Sequence, residues 1–197
     1  MTSEFWPLRR IDSLGRIITG KTPSSKNPEY FNGPFPFITI PDLGRNIWQK
    51  ETERTISRAG AKALKSAVIP ANSVCVSCIA TVGNVGITTR PSITNQQIHS
   101  IECNKGFSSQ FVYSLMVSFV PNLKFFAGGG AVVQNISKSM FGKQRVIIPP
   151  IKVVDQFTEL VEHLYQNINV LNATSRSLIA TRDALLPRLM SGELEVN

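Results

Sequence analysis

The chain has 197 residues, 42% of them hydrophobic and 17% charged, which provides for a buried core and excludes the composition of a disordered or fibrous chain. Lysine and arginine number 21 against 13 aspartate and glutamate, a formal charge of +8 that favours an acidic partner. No run of about 18 apolar residues occurs and Met1 to Arg10 has no apolar segment of the kind a secretory leader needs, so neither a membrane span nor a secretory leader is expected. Cys75, Cys78 and Cys103 are too few and too oddly counted for a disulfide framework, and a cytoplasmic location follows.

From Phe5 to about Pro150, short apolar runs are broken at close intervals by Gly, Pro, Asn and Ser, a texture of strands and turns. Strands are expected over Phe35 to Ile40, Ser73 to Ala80, Val85 to Thr89, His99 to Glu102 and Arg145 to Ile148. Ser57 to Ser66 reads as a short helix that Ser57 caps, and Ser108 to Val120 as a second, with Phe111, Leu115 and Phe119 spaced four apart on one side. Pro149 and Pro150 then punctuate the chain. From Phe157 an apolar seam runs through Val161, Leu164, Ile168, Leu171, Leu178 and Leu185 in alternating steps of four and three, with Ser175 and Arg182 as polar interruptions.

That seam predicts a helix from about Val154 to Leu186, roughly 50 Å long, ended by Pro187 and Gly192. A stripe so narrow on a helix so long asks for a partner helix, although folding back onto its own domain remains open. The fold class is therefore α/β in the mixed α and β sense: a globular domain over residues 1–150 with a twisted sheet and short helices, then a coiled-coil-type helix over residues 151–197. Charge divides at the same place. Residues 151–197 hold four basic and six acidic groups, a net of −2, whereas the first 150 hold 17 and seven, a net of +10. The first part suits a polyanion and the second a protein. No repeat of fixed period is visible.

Catalytic and metal chemistry find little support. Cys75 and Cys78 have half the spacing of a zinc site without a second pair, and in a strand they fall on opposite faces. Gly128-Gly129-Gly130 lacks the Lys-Ser/Thr of a phosphate loop, and neither His99 nor His163 has a nucleophile beside it. The acidic residues of the first part are scattered, and the motifs of a methyltransferase are missing. No catalytic residue, metal or cofactor is assigned to this chain.

What remains is a set of basic and amide side chains on turns: Lys21 and Thr22; Arg45, Lys50, Arg54, Arg58 and Lys62; Thr81 and Asn84; Asn95, Gln96 and Gln97; Gln134, Asn135, Lys138 and Lys143. Arg and Lys neutralise phosphates or read guanine, and Asn and Gln have the bidentate geometry for adenine. Such turns are also commonly just solvated, and Asn-Gln-Gln at a strand edge can simply tie down loop backbone.

Several strings go further when taken in order: Gly20-Lys21-Thr22-Pro23, Glu29-Tyr30-Phe31-Asn32-Gly33, Pro36-Phe37-Ile38-Thr39, Asp42-Leu43, Ile56-Ser57 with Gly60, Ala80-Thr81-Val82-Gly83 and Thr94-Asn95-Gln96-Gln97. The end adds Ile148-Pro149-Pro150, Asp155-Gln156, Arg182-Asp183-Ala184-Leu185-Leu186-Pro187 and Leu189-Met190-Ser191-Gly192-Glu193-Leu194. From Trp6 to Leu194 the sequence resembles the specificity subunits of type I restriction-modification systems. Those subunits usually carry two target recognition domains, each followed by a long helix, and the two helices pair antiparallel as a ruler between half-sites. This sequence has one of each.

The resemblance implies a non-catalytic reader of double-stranded DNA, working with methyltransferase (M) and restriction (R) subunits. S-adenosylmethionine, ATP and Mg2+ would belong to those partners. It implies either a half-subunit that forms a homodimer through the seam and reads an interrupted palindrome, or a piece of a longer subunit. The rival readings are a protein-interaction scaffold and a decoy half-subunit that binds the methyltransferase without DNA specificity of its own.

Overall fold

The computed structural model describes residues 6–44, 46–128 and 135–193. The chain divides into two compact units, 1–158 and 159–197. The elements of the first unit are, in chain order, β1 (Leu8–Arg10), β2 (Gly15–Thr19), β3 (Phe31–Ile38), β4 (Trp48–Gln49), β5 (Arg54–Ile56), α1 (Arg58–Ala63), β6 (Val68–Ile69), β7 (Val74–Ser77), β8 (Val85–Thr88), β9 (Ser92–Thr94), β10 (Ile98–Cys103), α2 (Ser109–Ala127), α3 (Lys138–Lys143) and β11 (Arg145–Ile147). The last helix, α4, runs over Ile151–Met190. The mixed α and β fold with one long C-terminal helix is thus the fold observed.

A five-stranded sheet in the order β2-β10-β7-β8-β4 forms the centre, antiparallel except for the β4–β8 pair. A four-stranded sheet in the order β5-β3-β9-β6 lies beside it, and β1 pairs with β11 in a separate ribbon. The central sheet is covered on both faces. Ile17, Val74, Val76, Ile87 and Ile101 join one core cluster with Phe111, Met116 and Phe141, while Ile18, Cys75 and Ile98 join another with Ile38 and Ile69 of the second sheet. Burial on both faces removes the apolar–polar alternation that marks a half-buried strand. Strands β7, β8, β10 and β11 fall where strands are expected even so; β1, β4, β5, β6 and β9 were not expected because each is only two or three residues long, too short to show a period, and β2 was not expected either.

Ser57 caps α1 as its sequence predicts, its hydroxyl accepting from the Gly60 N–H at 3.1 Å. Strand β3 starts four residues before the expected Phe35, with a register shift between Phe31 and Phe35 and Asn32 at φ 59°. Two helices run past the ends expected for them and carry a proline inside. Helix α2 continues through Pro121 to Ala127, because Leu123 and Ala127 beyond it are buried in the main core. Helix α4 likewise carries Pro187 and closes only at Gly192, where φ is +73° and the Gly192 N–H donates to the Leu189 carbonyl. A proline removes one hydrogen bond, and packing or proximity to the helix end offsets it.

The first two turns of α4 belong to the first unit. Val154 is 1% exposed, Phe157 meets Phe111 edge-on at 5.9 Å, and the Thr158 hydroxyl lies 2.8 Å from that of Ser108. Phe157, the first member of the apolar seam, is therefore used within the globular unit. The remaining seam residues lie on the rest of α4: Leu164 (58%), Ile168 (38%), Leu171 (66%), Leu178 (64%) and Leu185 (40%) are exposed, and Val161 is half-buried. Among the described residues no helix is long and apolar enough to cross a membrane.

Candidate nucleic-acid interface

Strand directions decide which turns meet. Thr19 at the end of β2 pairs with His99 at the start of β10, Ile98 pairs with Ser77 at the end of β7, and Val76 pairs with Val85 at the start of β8. The segments Lys21–Thr22, Gln96–Gln97 and Thr81–Asn84 are consequently gathered at one end of the central sheet. The Asn95 N–H donates to the Ile38 carbonyl, which joins the matching end of the second sheet at β3 and β9. Arg54 starts β5 opposite Phe37 near that junction, its guanidinium 5.1 Å from the Phe37 ring centre.

Local bonds hold this end in shape. The Thr22 hydroxyl donates to Gln96 Oε1 at 2.6 Å, and Lys21 Nζ lies 3.4 Å from the Ser66 hydroxyl. Asn95 accepts from the Gln97 N–H and donates to its side-chain oxygen at 2.9 Å. Asn84 donates to the Leu43 carbonyl at 3.3 Å. The amides at Asn84 and Asn95 thus tie down loop backbone, the bland role foreseen for such residues, and Gln96 keeps the donors of its amide nitrogen for another partner. Gly20 has to be glycine, since a Cβ there would strike the carbonyls of Thr94 and Asn95.

The segment following residue 134 returns to the same end. Asn135 forms an isolated bridge with Ile79, and the Ile136 N–H donates to the Cys78 carbonyl at 2.9 Å. His99 Nε2 is 2.9 Å from the Ile136 carbonyl and Nδ1 is 3.1 Å from the Thr19 hydroxyl. This network assigns the proton to Nε2. Burial pulls the His99 pKa below its ordinary value and the Lys138 charge acts in the same sense, so the imidazole is neutral near pH 7. His99 is therefore an anchor that sets the start of α3, where Lys138 stands exposed. The sequence offered it only as an unsupported catalytic histidine, because a tie between positions 37 residues apart leaves no local signal.

The remaining candidates lie elsewhere. Lys50 follows β4 where β8 ends, at the opposite end of the central sheet, and Lys143 ends α3 away from Lys138. Arg58 and Lys62 are exposed on α1. Arg45 and Gln134 are outside the described residues. Cys75 and Cys78 fall in different core clusters, as opposite strand faces require, and burial pushes both thiols up to about 12. A thiol so shifted is a poor nucleophile or metal ligand. Among the described residues no three of His, Cys, Asp or Glu converge as a metal site would need.

The model of the type I restriction modification DNA specificity domain matches residues 3–178. The chain belongs to this family of DNA specificity domains. Its relatives include the type I restriction enzyme HindI specificity subunit of Haemophilus influenzae, 38% identical over 191 residues that make up 96% of this chain and 42% of that protein. The MjaIX specificity subunit of Methanocaldococcus jannaschii is 31% identical over 112 residues, 56% of this chain and 26% of that one. Among solved structures, the HsdS subunit from Thermoanaerobacter tengcongensis superposes with a TM-score of 0.61 at 16% identity, covering 98% of this chain and 47% of that one. A chain from a structure on the assembly and conformational transition of the type I R-M system gives 0.66 at 15% identity, covering 94% and 44%. The specificity-domain chain therefore spans less than half the length of these relatives, and the match is to a recognition domain and not to a catalytic one.

Proposed function

We propose that this chain reads DNA sequence for a type I restriction-modification complex, docking the gathered end of its sheets on duplex DNA. Two copies would join through the exposed seam of α4, restore a two-domain layout and read an interrupted palindrome. Methyltransferase and restriction subunits, with S-adenosylmethionine, ATP and Mg2+, would supply the chemistry. The observation that carries the reading is the convergence of Lys21, Thr22, Thr81, Gln96, Asn135 and Lys138, drawn from four separate stretches, on one end of the central sheet. Lysines there can neutralise phosphates while hydroxyls and amides reach base edges.

The test is the salt dependence of binding to a mixed-sequence duplex. Lys21→Ala and Lys138→Ala are each expected to flatten the slope by about one unit, and Lys50→Ala, at the other end of the sheet, to leave it unchanged. Slopes that stay at the wild-type value for Lys21→Ala and Lys138→Ala contradict this placement of the DNA face.

A further inference from the structure

The C-terminal half of α2 carries apolar surface that the fold does not use. Phe125 is 80% exposed and Phe126 47%, their rings edge to face at 5.9 Å. Val117, 44% exposed, lies two turns back on the stripe of Phe125, with the exposed Pro121 between them. Single exposed apolar residues are ordinary, but a nearly bare phenylalanine beside a second one, on a helix whose inner side is satisfied by Met116, Leu123 and Ala127, marks a contact surface.

Its position is fixed by the turn after β7. Gly83 has φ +100°, and a Cβ there would meet the side chains of Val120 and Lys124. The last turns of α2 thus lie beside the Thr81–Asn84 turn, at the gathered end of the central sheet, and Asn135 brings the chain back to that end. Charge narrows the partner. Lys124 immediately precedes Phe125 and the exposed Lys138 starts α3 at the same end, with no acidic residue anywhere between Cys103 and Val154. A ligand lying over this end meets cationic and aromatic groups side by side, which matches the phosphates and the flat apolar bases of nucleic acid.

We infer that Phe125, backed by Phe126, is an apolar wedge that presses against a base step of bound DNA, with Lys124 on the adjacent phosphate. The inference rests on the DNA-reading function proposed above and adds a contact that discriminates by stacking and deformability instead of by hydrogen bonds. The face belongs to DNA and not to a protein partner.

The experiment selects binding duplexes from a random-sequence pool with the full chain, then compares wild type, Phe125→Ala, Phe125→Trp and Lys21→Ala on the enriched duplexes and on the pool. Phe125→Ala should lose about tenfold of the preference for enriched over random DNA while keeping the wild-type salt slope and melting temperature, and Phe125→Trp should retain the preference. If Phe125→Ala keeps the full preference while Lys21→Ala still flattens the salt slope, the wedge is wrong and the DNA-reading function stands. If the wild type enriches no duplex, both fall together. A Phe125→Ala chain that loses self-association instead assigns the face to a protein contact and overturns the wedge.

Discussion

The two units treat the same apolar residue types in opposite ways. Ile11, Leu14, Ile101 and Phe141 are fully buried in the first, whereas Leu164, Leu171 and Leu178 on α4 are 58–66% exposed. Strands and short helices can wrap a core on all sides, but a lone helix hides a narrow stripe only against another helix. The first unit buries a core of its own, and the second leaves its apolar seam exposed. Under the proposed function the first meets DNA and the second meets a second copy.

The largest effect expected is on association. Replacing Leu164, Ile168 and Leu171 together by glutamate should abolish self-association in analytical ultracentrifugation without lowering the melting temperature of the first unit. A dimer that survives those changes breaks the comparison, since the seam would then have no partner of its own. Next in size, Phe141→Ala in the core should cost about 3–5 kcal/mol in denaturant unfolding, a large share of a small domain's stability. Leu171→Ala, measured at dilutions where the chain is monomeric, should change stability by no more than about 0.5 kcal/mol. Equal costs at the two positions would erase the distinction between a buried and a waiting apolar residue.

Smaller still, Ser57→Ala removes the cap of α1 and should cost about 1 kcal/mol. The smallest effect concerns His99. Its folded pKa lies below its unfolded value near 6.5, so the unfolded state binds more protons as the pH falls and stability drops in that direction. The contribution is fully present above about pH 6.5 and is lost below it. Thermal melts from pH 7 to pH 5 should show a wild-type decline that is shallower in His99→Gln. A parallel decline in both would mean that His99 does not anchor the Ile136 carbonyl as a neutral ring.

How much of this was legible in the sequence follows from what each element buries. The heptad seam is a one-dimensional pattern with one buried stripe, so α4 could be placed closely, and the cap at Ser57 announced α1. The central strands β7, β8 and β10 could be placed although both faces are buried, because turn residues bound each run, whereas the edge strand β2 with its Gly-Arg-Ile-Ile-Thr run offers no alternation to find. The candidate residues were recognisable by type, since Lys, Asn, Gln and Thr on turns have the right chemistry. Their grouping was not, because Lys21, Thr81, Gln96 and Asn135 come together only through antiparallel pairing. Lys50 and Lys143 look no different in sequence and lie elsewhere. Phe125 and Phe126 were hidden for another reason: they lie beyond Val120, where the expected helix stops, and only the continuation of α2 to Ala127 puts them on its outer side.

The central claim is that a DNA-reading unit is doubled through its helix. It is tested most directly by producing the chain with its cognate methyltransferase subunit in a host that lacks such systems and mapping modified adenines across the host genome. The account predicts modification at an interrupted palindrome whose two half-sites are identical. Modification at an asymmetric site, or a stable complex that modifies nothing, would contradict it.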